Sequence, residues 1–201
     1  MENKKLTLLV DVGERLLLCV LLAPYLVAFS LALPQNPGLI TAVISELLVL
    51  LFILIRRPGR LALSPYAFCV GFLGTALPLF VRPIPGSHVI PICQALMMFG
   101  LALSISSKLA LNRRFGVVAA NRGVQTRGPY SFIRHPMYAG YVITQIGFLI
   151  SNPTLWNFSV YACGFVFQLL RIFEEEKLLR QDEAYEAFTQ RVRYRLVPGL
   201  F

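Results

Sequence analysis

Long apolar runs, separated by short clusters of proline, glycine and arginine, make up most of this chain. The runs approach the roughly 20 residues that cross a bilayer core, and they lack the short amphipathic periods of a soluble domain. The pattern predicts a first span from about Leu16 to Leu33, kinked at Pro24 and ended by the turn formers Pro34-Gln35-Asn36-Pro37-Gly38. A second is expected from Leu39 to Ile55, stopped by Arg56-Arg57-Pro58-Gly59-Arg60, and a third from Pro65 to Val81, closed by Arg82-Pro83-Ile84-Pro85-Gly86. A fourth runs from Val89 to Leu111.

Beyond Leu111 the pattern changes. Asn112 to Arg134 is the longest polar stretch, and the apolar sequence from Pro136 to Phe173 is broken only by Ser151-Asn152-Pro153, the expected tip of a helical hairpin. From Arg171 onward the chain turns charged and amphipathic, which predicts a helix leaving the bilayer to lie over its surface. The fold class expected is all-α: a polytopic transmembrane helix bundle of about four spans, a C-terminal helical hairpin and a cytoplasmic amphipathic helix. Residues 1–111 then form the transmembrane helices and a candidate substrate-access region, and residues 112–201 a catalytic region.

Composition agrees, with 56% apolar residues and only 14% charged, against roughly 25% charged in a soluble protein. Lys4 and Lys5 before an apolar stretch suggest a signal peptide, but Asp11, Glu14 and Arg15 intervene and no cleavage site follows, so a retained first span is expected. With the N-terminus inside, about six crossings leave Arg82 as the one outward cation of the 19 Lys and Arg residues. That bias explains the net charge of +9 without nucleic acid, and sets both termini in the cytoplasm. Cys19, Cys69, Cys93 and Cys163 fall inside expected spans without metal-ligand spacing, so neither a disulfide framework nor a metal is indicated.

Ionisable residues concentrate from Asn121 to Tyr138 and from Arg171 to Pro198. Pro136 suits the first turn of the hairpin helix, which sets His135 at its N-terminal mouth, where an anion could bind. The plainer reading is that Arg134 and His135 anchor the helix at the headgroups. Arg171 and Glu175 stand four apart and share a helix face at the membrane boundary. One reading is an ordinary helix ion pair, with Glu174, Glu176 and Lys177 as a solvated face. The other is functional, because the arginine emerges directly from hydrocarbon, where charge is costly.

Together these segments resemble the isoprenylcysteine carboxyl methyltransferase family and its phospholipid methyltransferase-related relatives among membrane methyltransferases. The matching residues are Gly128-Pro129-Tyr130, Arg134-His135-Pro136-Met137-Tyr138 with Gly140, Arg171, Glu175 to Leu179, Tyr185 and the stretch from Val192 to Pro198. The resemblance covers Asn112 to Pro198 and implies methyl transfer from S-adenosylmethionine without a Rossmann domain. Carried over position by position, it implies a cofactor held by Arg122, Gly123, Val124, Gln125, Tyr130, His135, Pro136, Met137, Tyr138 and Glu175. Arg171 takes the place of the family's substrate-contacting arginine, so Arg171 and Glu175 are the expected catalytic pair.

This chemistry is coherent. A sulfonium cation suits a carboxylate and tyrosine faces, His135 and backbone donors suit the cofactor's carboxylate, and an acceptor carboxylate clamped by Arg171 needs no base. The expected function is carboxyl methylation of a lipophilic, isoprenylcysteine-like acceptor arriving from the bilayer. The alternatives are methylation of a phospholipid amine or small thiol, and a non-catalytic membrane ligand-binding protein. Among other residues, Glu46 either lines a substrate entrance or is hydrogen-bonded between helices. Gly71 and Gly74 are read as packing positions, Gln94, Gln145 and Gln168 as interhelical hydrogen bonders, and His88 and Trp156 as interface anchors.

Overall fold

A computed structural model describes residues 4–34, 37–55, 60–61, 64–84 and 90–201. Seven helices are seen among them: α1 (Lys4–Ala32), α2 (Ile40–Ile55), α3 (Pro65–Ala76), α4 (Pro91–Leu111), α5 (Pro136–Ser151), α6 (Leu155–Leu179) and α7 (Glu183–Arg191). Short 3-10 turns extend α3 over Leu77–Phe80 and follow α4 at Asn112–Arg114. The strands among the described residues are two-residue pieces, β1 (Arg60–Leu61) and β2 (Ala120–Asn121), paired antiparallel. The all-α reading therefore holds.

Among the described residues, three stretches are long and apolar enough to cross a membrane: Arg15–Ala32, Pro91–Arg114 and Leu155–Leu179. The apolar helices over Val43–Ile55 and Pro65–Phe80 are shorter. Side chains are distributed as in a membrane protein, the reverse of a soluble one. Leu16, Val20, Val27 and Leu31 of α1 and Phe99 of α4 are exposed, while Lys108, Asn157, Gln168 and Arg171 are buried.

The helix boundaries follow the sequence with two corrections. α1 begins at Lys4, and its apolar stretch Arg15–Ala32, with Pro24 within it, falls where the first span was expected. The polar C-terminal segment is not one surface helix. α6 continues unbroken to Leu179, and α7 follows only after a turn at Arg180–Asp182, where the Asp182 carboxylate accepts from Ala184 N at 3.0 Å and caps it. Lys108, one of the cations counted above on the cytoplasmic side, lies fully buried in α4, its ammonium 3.3 Å from Ser45 Oγ and 4.9 Å from the Tyr141 ring. Ser104, Ser107 and Lys108 sit on one face of α4, so helix geometry carries the lysine inward. The turns from Arg56 to Gly59 and at Pro85-Gly86, and His88, lie outside the described residues.

The hairpin tip falls where expected, between Ser151 and Leu155. Thr154 caps α6 by accepting from Asn157 N at 3.0 Å, and Asn157 and Asn152 bind the backbone of Arg82 and Ile84 at 2.8–2.9 Å. Trp156 donates to Phe80 O at 2.9 Å. Buried side-chain amides thus satisfy an irregular segment that has little water to bond with.

The two arms of the hairpin pack on different partners. α5 lies against α4 along Gly100, Gly140 and Gly147, where an added Cβ would come within 2.5–2.8 Å of the facing helix. α6 lies against α3, with Gly74 close to the Phe167 backbone and Gly164 against Pro78. Glycines permit this closeness because only a missing side chain lets backbones approach so far. Gly71 makes room for the loop after α4 instead, since a Cβ there would stand 2.8 Å from Val117 O. Phe115, Val117, Val118 and Ala119 of that loop are buried.

Candidate functional site

Two cavities lie on either side of a common wall. The loop cavity, about 760 Å³ of open space, is enclosed by the loop after α4, the start of α5 and the end of α6. The bundle cavity, about 810 Å³, lies between the helices. Phe115, Met137 and Tyr138 line both.

The residues expected around a cofactor converge on the loop cavity. Arg122, Gly123, Val124, Gln125, Tyr130, His135, Met137, Tyr138 and Glu175 all line it. Pro136 occupies the first turn of α5 and sets the helix start without lining the cavity. Arg171 stands apart from this set, for it lines the bundle cavity.

Local chemistry explains the placement. Gly123 turns the loop at φ +98°, and the Asn121 side chain accepts from its N–H at 2.9 Å. Gly116 leaves room for the Arg122 guanidinium, which a Cβ there would meet at 2.4 Å. Arg114 donates to Gln125 Oε1 at 2.9 Å. The loop thereby places two guanidiniums, those of Arg114 and Arg122, in the lining of the cavity.

The carboxylate of the lining is Glu175. It accepts from the Tyr138 hydroxyl and from Arg171 Nε at 3.0 Å. Arg171 also donates to Thr75 Oγ1 at 2.7 Å and to Gly116 O at 2.9 Å, and its guanidinium carbon lies 5.1 Å from the centre of the Tyr138 ring. Three of its five N–H groups are thereby used, and the second hydrogens of Nη1 and Nη2 remain for another acceptor. Burial, then the charge of Glu175, pushes the Tyr130 phenol well above its ordinary pKa, so it faces the cavity neutral.

Glu176 was read above as part of a solvated face, and the structure overturns this. Its carboxylate is 3% exposed and holds four partners. Arg195 Nε lies at 3.0 Å, His135 Nε2 at 3.3 Å and the Tyr185 hydroxyl at 3.4 Å. The fourth, Arg134 Nε at 2.8 Å, is an ion pair whose N–H points off the line to the oxygen. The C-terminal tail is tied to the same place, because Arg134 N donates to Tyr194 O and His135 N to Arg195 O at 2.8–2.9 Å. Burial, then the Glu176 charge, raises the Tyr185 phenol as well.

His135 thus meets carboxylates rather than an anion-binding space, with Nδ1 3.9 Å from Glu175 and Nε2 facing Glu176. It stacks on Tyr138 at 5.7 Å. No local signal in the sequence marks this knot, because the partners of Glu176 lie far along the chain, at His135 and Arg195.

Elsewhere, Gln168 does bond between helices, donating to Tyr138 O at 3.2 Å, whereas Gln145 and Glu46 line the bundle cavity. No group of three or more metal-ligating side chains occurs among the described residues. The donor set of the loop cavity, a carboxylate with tyrosines and guanidiniums, carries groups of both charges as a zwitterionic sulfonium compound does.

Residues 89–186 match the model of the phospholipid methyltransferase family. No curated protein and no solved structure matches the chain significantly.

Proposed function

We propose, from the premise that residues 89–186 belong to the phospholipid methyltransferase family of membrane methyltransferases, that the chain methylates the carboxylate of a lipophilic, isoprenylcysteine-like acceptor with S-adenosylmethionine. One observation carries this reading: two cavities share the wall of Phe115, Met137 and Tyr138, and the Arg171–Glu175 pair bridges them. S-adenosylmethionine, when bound, supplies an electrophilic methyl group. In the loop cavity Glu175 and the faces of Tyr130 and Tyr138 suit its sulfonium, and Arg114 and Arg122 suit its carboxylate.

From the bundle side, the two uncommitted N–H groups of Arg171 hold an acceptor carboxylate beside the Arg171–Glu175 pair, where the two cavities meet and the donor methyl comes within reach. The Glu175 and Thr75 contacts fix the guanidinium beforehand, which removes part of the orientational cost of reaction. A carboxylate is already ionised and needs no base. The buried wall keeps water away, which favours a reaction in which opposite charges neutralise. The arginine-rich loop beside the cavity supports a cytoplasmic opening, with the shorter apolar helices completing a multi-pass bundle.

A phospholipid amine is the second reading, favoured by the family's description and by Glu46, a carboxylate lining the bundle cavity that suits an ammonium head. Calorimetry and a label-transfer assay test both. S-adenosylmethionine affinity is expected to fall by more than about tenfold in Glu175→Gln, a loss of about 1.4 kcal/mol. In Arg171→Ala it should change by less than about threefold while label transfer drops by about a hundredfold, as for one lost charge-assisted contact in the transition state. Undiminished binding in Glu175→Gln would count against the site, and base-stable label in the lipid product would favour the amine.

A further inference from the structure

Because α5 leans on α4 and α6 on α3, the two arms of the hairpin are held apart and a furrow opens between them. Val142, Ile146 and Leu149 of α5 face Phe158, Ala162 and Phe165 of α6 across it. Its walls are hydrocarbon, and Ile146, Phe158 and Phe165 are exposed on the apolar outside of the bundle. Gln145 and Tyr161 close its inner edge, and both also line the bundle cavity. The furrow therefore adjoins, across these two polar side chains, the chamber that Arg171 lines.

We propose that this furrow is the tail site of the methyl acceptor, holding one hydrocarbon chain while the head group passes between Gln145 and Tyr161 to Arg171. The inference rests on the function proposed above. The shared polar edge selects the occupant: a bulk lipid chain lying in the furrow would gain nothing from Gln145 and Tyr161, whereas a molecule with a polar head and an apolar tail satisfies both sides of that edge at once. From Val142 to Leu149 the furrow follows α5 for about 10 Å, at 1.5 Å per residue. That length takes a single chain, and its apolar lining offers no headgroup site.

The test uses the full chain in phosphatidylcholine nanodiscs, with Ala162→Trp as a plug. Ala162 lies on the exposed side of α6, where a larger apolar residue meets lipid and the fold is spared. The two probes are N-acetyl-S-farnesylcysteine and its S-butyl analogue, identical at the carboxylate. The plug is expected to raise KM for the farnesyl compound by about tenfold or more, as excluding two methylenes from an apolar site does. For the butyl compound, and for S-adenosylmethionine affinity, the change should stay below about twofold. Val166→Trp, elsewhere on the exposed face of α6, should change neither KM.

An unchanged farnesyl KM in the plugged variant, or an equal rise for both probes, overturns the tail site. Should neither probe accept a methyl group, the function proposed above fails while the furrow is still read by binding. A diazirine-bearing farnesylcysteine, photolysed and mapped by mass spectrometry, is expected to mark Phe158, Ala162 or Phe165 and to lose that mark in Ala162→Trp. Label spread evenly over α1 and α6 would refute it.

Discussion

The loop cavity and the bundle cavity adjoin, yet they are held in shape by opposite means. Charge organises the first: Glu176 gathers Arg134, His135, Arg195 and Tyr185 and so ties α5, α6, α7 and the tail into one floor. Absence of side chains organises the second, since Gly100, Gly140 and Gly147 bring α4 and α5 into backbone contact and leave α6 to α3. The difference follows from solvent. Ionic contacts hold where water still reaches the rim. In hydrocarbon there is no hydrophobic drive between helices, so close packing decides.

The largest effect is expected in Glu176→Gln. Removing the one carboxylate leaves buried guanidiniums short of their counter-charge, which costs about 3–5 kcal/mol. Thermal unfolding in detergent should report that loss. Limited proteolysis should show residues 192–201 released while α1 to α4 stay protected, and equal loosening of the bundle would erase the distinction between the two cavities.

A smaller loss is expected on the other side. A methyl group at Gly140 would stand 2.6 Å from Gly100 O and 2.7 Å from Ser104 N, where only backbone can give way. Gly140→Ala should therefore cost about 1–3 kcal/mol, as overpacking does. It should raise KM for the acceptor while leaving S-adenosylmethionine affinity within about threefold. If cofactor affinity falls instead, the two cavities are one mechanical unit.

The smallest effect concerns Tyr185. Its pKa is raised in the folded state, so its contribution to stability is complete below about pH 10, the value of a free phenol, and is lost as pH rises beyond it. Tyr185→Phe should flatten the fall in stability above about pH 10 and leave the profile near neutrality unchanged apart from one hydrogen bond, about 0.5–1.5 kcal/mol. A melting series at constant ionic strength checks this. An unchanged slope would place the phenol in water.

Much of the site was legible in the sequence. Pro136 announces the start of α5, Ser151-Asn152-Pro153 announces the tip, and the four-residue step from Arg171 to Glu175 puts both on one face. Each of these is a local property. Lys108 was misassigned because a cation near the end of an apolar run resembles a flanking residue, and only its partners, Ser45 and the Tyr141 ring, show that it turns inward. Glu176 was misassigned for the same reason, its partners lying 41 residues before it at His135 and 19 after it at Arg195.

From the chain alone came the apolar helices, the hairpin and the arginine–glutamate step. All of these follow from how each residue partitions between water and lipid and from the 3.6-residue turn of a helix. Tertiary structure alone decided that the hairpin is splayed, that two cavities share one wall, and that Arg171 faces one of them and Glu175 the other. The physical reason is that hydropathy scores each side chain against its solvent, whereas a cavity is the space left over when helices far apart in sequence choose their neighbours, and that choice is made by backbone contacts at glycines.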